Sequence, residues 1–470
     1  MLVPEKLVYA TSYTSFFNHE LKIIMTNTPA SQSESAPQIT QNSPTKVAVA
    51  SLVGTAVEFY DFYIYGLAAA LVLDTLFFTN KDPALAVMHS FLTFGIAFIA
   101  RPIGAALFGH FGDKVGRKTT LIASLLIMGI STTLIGFLPT YQQAGIFAPV
   151  CLCILRFCQG LGLGGEWGGA ALLATENAPK GKRALFAMFP QIGPPIGFIT
   201  ASLIFIILSK SLSNEQMMAW GWRIPFLLSI VLVGLGMYVR MSIIESNAFR
   251  SMVAKQNAVK VPLADTVRKH YKQLILGSLA AMSCFTLFFL STVFSLQYAT
   301  TQHPWQSAPL FNKIDYLFIL MSAIVFMALG SPVSAWLSDK IGRRPIFLIG
   351  GILTVIIGYF YGDLINCNST TVAAIFLSFS LFVMGILWTP LAAYLPEIFP
   401  TNVRYTGAAI SFSFGGILGG SLTPFTAAWL VKEYSLQGTV YVGWFLIASC
   451  VLSMLAVLLL PETHRQEIDN

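Results

Sequence analysis

The chain has 470 residues, of which 55% are hydrophobic and only 10% charged, with a formal net charge of +7. Soluble domains carry about 25% charged residues, so this composition excludes an ordinary globular protein and implies a helical protein with many membrane spans. The basic excess is no sign of a nucleic-acid partner, because the Lys and Arg residues concentrate in alternate loops.

Residues 1–46 read as a disordered cytoplasmic tail: 26–46 are rich in Ser, Thr, Asn, Gln and Pro, which bury no core. Phe16, Phe17, Ile23 and Ile24 do not form the continuous apolar core of a signal peptide, and Met25 makes a natural start, with 1–24 as an upstream extension. A window of about 19 residues then finds apolar spans near 48–76, 85–108, 119–138, 146–173, 185–208, 222–241, 274–299, 315–337, 345–363, 372–395, 405–431 and 439–460. Hydrocarbon forces each backbone group to be satisfied within its own segment, so the spans are expected to be helices. The expected architecture is all-α and polytopic: twelve transmembrane helices in two six-helix bundles, 47–241 and 274–460. A cytoplasmic loop, 242–273, joins them, and 461–470 form a short tail.

Lys114, Arg117, Lys118, Lys180, Lys182, Arg183, Lys340, Arg343, Arg344 and Arg404 fall on one side of this arrangement. The opposite loops carry only Lys81, Lys210, Lys313 and Lys432. The positive-inside rule therefore puts both termini in the cytoplasm of a multi-pass protein of the cytoplasmic (inner) membrane. Cys151, Cys153, Cys158, Cys284 and Cys450 lie in apolar spans and Cys367 in an outer loop, so no disulfide framework follows. No His or Cys has a partner at metal spacing, and no metal site is expected.

Three signatures repeat in order. Gly109-His-Phe-Gly-Asp113-Lys-Val-Gly116-Arg117-Lys118 returns as Ala335-Trp-Leu-Ser-Asp339-Lys-Ile-Gly342-Arg343-Arg344. Glu176-x-x-Pro179-x-x-x-Arg183 returns as Glu397-x-x-Pro400-x-x-x-Arg404, and Glu245 has a counterpart in Glu462. Two halves with an even number of spans share one orientation, which implies a pseudo-two-fold axis along the membrane normal and a central cavity.

The repeated Asp-x-x-Gly-Arg loop resembles the signature of the major facilitator superfamily, and the resemblance covers residues 47–465. A finer resemblance is to its metabolite:proton symporter family. It rests on Gly54-Thr-Ala-Val-Glu58-Phe-Tyr-Asp61-Phe62, Ala100-Arg101-Pro102-Ile-Gly104, the run from Arg156 to Gly169, and Gly221-Trp222-Arg223-Ile-Pro225-Phe226. That family takes up carboxylates or zwitterions such as α-ketoglutarate, citrate, shikimate, proline and betaine. The resemblance implies proton-coupled uptake of a small carboxylate or zwitterion by alternating access, with exchange of organic anions or ligand sensing without transport as alternatives. The proton gradient takes the place of a cofactor, and the chain is expected to work as a monomer in the bilayer. No phosphate-binding loop and no nucleophile with a base and orienter is evident, so neither an ATP pump nor an enzyme is expected.

The buried charges point to the same chemistry. A charge at a helix centre costs about 2.5–3.5 kcal/mol on insertion scales, so Glu58, Asp61, Arg101, Arg156 and Glu166 should face a cavity or one another. Glu58, Asp61 and Tyr65 stand at i, i+3 and i+7 on one stripe, and Arg156, Gln159, Glu166 and Trp167 share a face of span four. At about 1.5 Å per residue Arg101 and Glu166 lie at similar depth with Glu58 slightly deeper, which suggests an ion pair between Arg101 and one of these acids. Glu58 or Asp61 is the expected proton carrier, with Arg156 attracting a substrate carboxylate or modulating that acid; a permanent structural ion pair is the competing reading. In the second half the cavity candidates are neutral: Gln297, Tyr298 and Trp388. At the cytoplasmic end Asp113, Arg117, Glu176, Arg183, Asp339, Arg343, Glu397 and Arg404 are the expected gate, with the two Asp residues pairing to Arg183 and Arg404. A solvated, topology-setting loop is the alternative there. The glycines from Gly160 to Gly169 are expected to be a close-packing surface.

Overall fold

The computed structural model describes residues 43–78, 83–114, 116–241 and 262–465. The expected tail before residue 43, the Met25 start, Glu245 and residues 466–470 lie outside the described residues. So do the side chains of Asp113 and Arg117, although both residues belong to described helices.

Every long element is helical. In chain order these are α1 (Pro44–Ala68), α2 (Pro83–Lys114), α3 (Arg117–Ile135), α4 (Phe147–Glu176), α5 (Arg183–Ser211), α6 (Arg223–Met241), α7 (Tyr271–Thr300), α8 (Lys313–Ile341), α9 (Arg343–Ile365) and α10 (Thr370–Glu397). A last segment, α11 (Thr401–Leu459), is broken where Ser435 takes φ 54°, leaving one limb that ends at Tyr434 and a second, Gly438–Leu459. Eleven segments among the described residues are thus long and apolar enough to cross a membrane.

Three sequence boundaries shift. Helix α1 already starts at Pro44, because proline at a first helical turn loses no hydrogen bond, so residues 44–46 belong to the helix and not to the tail. A short helix, Pro262–Lys269, occupies part of the expected inter-bundle loop. Helices α4 and α10 run past the apolar stretch and end on Glu176 and Glu397, since helical hydrogen bonding continues where the hydrocarbon stops.

Helix α1 packs on α5, α2 on α4, and α3 on α4 and α6; further along, α8 packs on α10, and α7 and α9 on the limbs of α11. Early helices also meet late ones: α5 lies along α8, and α2 along the first limb of α11. Helices α1 and α7 are the most enclosed, 78% and 83% buried within their apolar windows, whereas α6 is 33% buried. A π turn follows α1 at Ala69–Leu73 and interrupts α7 at Leu290–Phe294, a distortion that clusters at functional sites.

The glycine run of α4 is a packing surface, as expected. Gly160 and Gly164 lie against the α2 backbone at Ala97 and Arg101, and Gly162 against α3 at Ser124. A side chain at any of these would collide with main-chain atoms. In the repeated loop, Gly116 and Gly342 take φ of 124° and 107°, a region that L side chains avoid, so both turns require glycine.

Candidate functional site

Glu58, Asp61 and Tyr65 project from the enclosed α1 and are fully buried, as are Arg156 and Glu166 of α4. No carboxylate oxygen of Glu58 or Asp61 receives a hydrogen bond among the described residues. The charged groups around Glu58 are Arg101, Arg240 and Asp61. Asp61 faces the hydroxyls of Ser229 and Thr132, but the Thr132 proton is already given to the Met128 carbonyl at 2.9 Å.

Arg156 of α4 meets α1 through Tyr65 and, by way of Gln159, Asp61. Its Nη1 donates to Gln159 Oε1 at 2.5 Å and its guanidinium lies 3.8 Å from the Tyr65 ring centroid. Gln159 Nε2 donates to the Asp61 carbonyl at 3.0 Å and to Thr132 Oγ1 at 2.9 Å, while the Tyr65 hydroxyl donates to Thr93 Oγ1 at 2.8 Å.

Of the two acids expected beside Arg101, Glu58 has it as a charged neighbour, whereas Glu166 forms its ion pair with Arg240 of α6. Arg240 also donates to the Leu121 carbonyl at 2.8 Å and is 4% exposed. Its place near a span end keeps it out of the sequence-derived candidates; its flanks, Met237-Tyr-Val and Met241, are the signal that a lone cation there is buried.

Arg101 lies instead among aromatic rings from both ends of the chain, 5.5 Å from Phe98, 5.8 Å from Phe285 and 5.2 Å from Phe412. The Trp167 ring stacks on Phe412 at 3.6 Å with 2° between planes, and so faces away from Glu166, its neighbour in sequence. Trp167 Nε1 donates to Gln191 Oε1 at 2.9 Å, and Gln191 Nε2 donates to the Trp388 carbonyl at 2.6 Å. Trp388 completes the cluster against Phe285 and Phe412. Sequence reasoning misses Gln191 because span five, 185–208, holds no charged residue to mark its face, as Arg156 and Glu166 mark that of Gln159.

Two candidates do not join this site. Tyr298 donates to Asn366 Oδ1 at 2.5 Å and stacks on His303, next to the loop that precedes α8, and Gln297 is only half-buried beside it.

At the other end of the molecule, Arg183 lies 3.8 Å from Glu397 and Arg404 lies 3.9 Å from Glu176. The expected partnership of Asp339 with an arginine of the second motif is replaced. Asp339 binds Arg343 at 2.8 Å and accepts from the Ala184 and Leu185 amides at 3.0 Å each. A helix N-terminus offers unpaired N–H groups and a positive dipole end, which a carboxylate fills better than a long side chain can. Arg343 further binds Glu397 at 3.1 Å.

The tail after residue 460 is docked as well. Glu462 accepts from the Arg343 and Arg344 amides, both at 2.9 Å, and caps α9. Burial alone would push its carboxyl up, but these amides and those of His464 and Thr463 outweigh burial and hold it below the usual value. Among the described residues no group of three or more His, Cys, Asp or Glu could hold a metal ion.

Residues 46–470 match the family model described as sugar (and other) transporter. The chain is 48% identical over 428 residues to the inner membrane metabolite transport protein YhjE of Escherichia coli, covering 91% of this chain and 96% of that protein. It is 35% identical to the shikimate transporter of Escherichia coli, over 89% of this chain and 95% of that one, and 31% identical to the proline/betaine transporter of Salmonella typhimurium, over 90% and 84%. The fold matches a solved structure of the proton:xylose symporter XylE with a TM-score of 0.68 at 18% identity, over 89% of this chain and 96% of that chain. The chain belongs to the sugar (and other) transporter family, and is a multi-pass membrane transporter and not an enzyme.

Proposed function

We propose that this transporter carries a small carboxylate or zwitterion together with protons across the cytoplasmic membrane, by alternating access between two six-helix bundles, 44–241 and 271–460. The limbs of α11 cross separately, giving twelve crossings with both termini in the cytoplasm, on the side of the basic loops. The reading rests above all on one observation: two fully buried acids, Glu58 and Asp61, that accept no hydrogen bond among the described residues, beside a guanidinium, Arg101, enclosed by aromatic rings of both bundles.

Each part has a physical role. An ionised carboxylate without hydrogen bonds is costly in hydrocarbon, and taking a proton removes that cost. Arg101 supplies the fixed charge that a substrate carboxylate would seek. The Trp167–Phe412 stack and the Gln191 bridge join the bundles below it, so substrate passage requires them to part. The reciprocal pairs Arg183–Glu397 and Arg404–Glu176 hold the cytoplasmic side closed and break when the bundles rock. A proton entering gains about 2.3 kcal/mol per 100 mV, which suffices to concentrate a solute without a cofactor. The unit that works is the monomer. The shikimate and proline/betaine carriers among its relatives support a carboxylate-bearing substrate.

The test is uptake of radiolabelled shikimate, α-ketoglutarate, citrate, proline and glycine betaine into proteoliposomes, with and without an imposed pH gradient. At least one should accumulate only with the gradient; uptake of every solute that ignores it would sink the symport reading.

A further inference from the structure

The reading above leaves Arg240 without a task. Among the described residues it is the third buried arginine of the first six helices, matching three buried acids, and the gate does not use it. Its guanidinium forms the ion pair with Glu166 of α4, donates to the Leu121 carbonyl of α3, and is a charged neighbour of Glu58 of α1. Gly54, one turn before Glu58, makes room for it: a Cβ there would stand 2.5 Å from Arg240 Nη2. One cation thus serves two acids from two helices.

Next to that cation lies a crevice of about 10 Å³, at the Lys118 end of α3. It is lined by Ser51, Lys118, Leu121, Ala170, Leu173 and Arg240, with Ala50 at its edge. That volume suits about one water, which needs polar partners to stay. The Ser51 hydroxyl is such a partner: it is 5% exposed and has no hydrogen-bond partner among the described residues. Ser51, Gly54 and Glu58 stand at i, i+3 and i+7, so one stripe of α1 leads from the crevice to the acid. Lys118 at the mouth donates to the Met241 carbonyl at 2.7 Å, which places it beside the end of α6.

We infer that the proton leaves within the first bundle, from Glu58 by way of Glu166 to water at Ser51, with Arg240 as the positioning residue that exchanges one carboxylate for the other. This rests on the symport reading above. In the exchange, the proton of the Glu58 carboxyl passes to the Glu166 carboxylate while the Arg240 ion pair moves from Glu166 to Glu58. The transfer leaves the net charge of Glu58, Glu166 and Arg240 unchanged, and Arg101 is the second cation beside Glu58 once the proton has left. Glu166 then gives the proton to the crevice water and the ion pair returns. The route runs between α1, α3, α4 and α6 and does not cross the Trp167–Phe412 stack or the gate pairs. Proton and substrate therefore leave by different doors.

Two experiments on the full chain test this. In a variant with the six native cysteines replaced by serine, Ser51→Cys should react with Ag⁺ added at the cytoplasmic face, leaving it unavailable to maleimide after unfolding. A Ser51→Cys no more reactive than a cysteine at the enclosed Ser124 would overturn the crevice route, whatever the substrate. In proteoliposomes, with whichever solute of the panel above accumulates in the unaltered protein, Ser51→Val and Arg240→Met should lower gradient-driven accumulation at least tenfold. Counterflow without a gradient, which needs no proton release, should change less than twofold. Arg240→Met combined with Glu166→Gln removes the stranded carboxylate and serves if the single variant does not fold. Equal losses in accumulation and counterflow, or no loss in either, overturn the inference; failure of the unaltered protein to use a gradient would instead strike the symport reading.

Discussion

Arg183 and Glu397 lie 3.8 Å apart at the contact between α5 and the end of α10, and Arg404 and Glu176 repeat the arrangement at 3.9 Å with the halves exchanged. A duplicated motif thus closes on its own copy. The copies differ in what surrounds them: Glu397 also binds Arg343 at 3.1 Å and accepts from the Thr463 hydroxyl at 2.6 Å.

That difference ranks the gate mutations. Glu397→Ala takes one of two carboxylates from Arg343, which is 1% exposed and keeps Asp339, and should cost about 1.5–3 kcal/mol. Arg183 is 18% exposed, and Arg183→Ala should cost no more than about 1 kcal/mol. Thermal unfolding of the detergent-solubilised variants measures both; equal midpoints would contradict the network.

The acids of α1 separate coupling from transport. Glu58→Gln removes a group that can carry a proton while keeping its size, so gradient-driven accumulation should fall to the level of passive equilibration and counterflow should persist. Asp61→Asn is the parallel test. Accumulation that survives both single changes and the double would remove the proton-carrier role.

Arg101 should set affinity. A charge-assisted hydrogen bond contributes about 1.5–3 kcal/mol, so Arg101→Ala should weaken half-saturation by about ten- to a hundred-fold for the solute transported. Arg101→Lys should restore little, because an ammonium lacks the flat guanidinium face that lies among Phe98, Phe285 and Phe412. Half-saturation constants from initial rates decide it.

Glu462 gives a pH dependence with a definite sign. Its carboxyl is held below the usual value of 4.5, so the stabilisation from capping α9 is present above that pH and lost as the pH falls through the lower, folded-state value. Glu462→Gln should therefore unfold at a lower temperature than the native chain at pH 7, with the gap closing as the pH falls below 4.5 and through the folded-state value. A gap independent of pH would refute the capping account.

Packing supplies a further contrast. Gly164→Ala would drive a Cβ into the Arg101 carbonyl and should cost about 1–3 kcal/mol, whereas Gly234, with nothing within 4 Å, should tolerate alanine or gain up to about 1 kcal/mol. Unfolding midpoints of the two variants test it.

Much of the fold is legible in the amino-acid order. Hydropathy places the helices within a few residues, because hydrocarbon admits no other backbone, and the periodicity of α1 puts Glu58, Asp61 and Tyr65 on one buried stripe. The repeated Glu-x-x-Pro-x-x-x-Arg motif foretells paired charges, though not that Asp339 binds the α5 amides.

What chain order cannot supply is partnership across helices. Spacing within α4 sets Glu166 and Trp167 side by side, yet the fold sends one to Arg240 and the other onto Phe412 of α11. Arg240 and Gln191 become meaningful only when α6 closes on α3 and α5 meets α10. Composition and local spacing determined a helical membrane protein with repeated motifs, because the bilayer constrains every span in the same way. The pairing of its buried charges was decided by tertiary packing, since ion pairs depend on distances between helices that no linear pattern encodes.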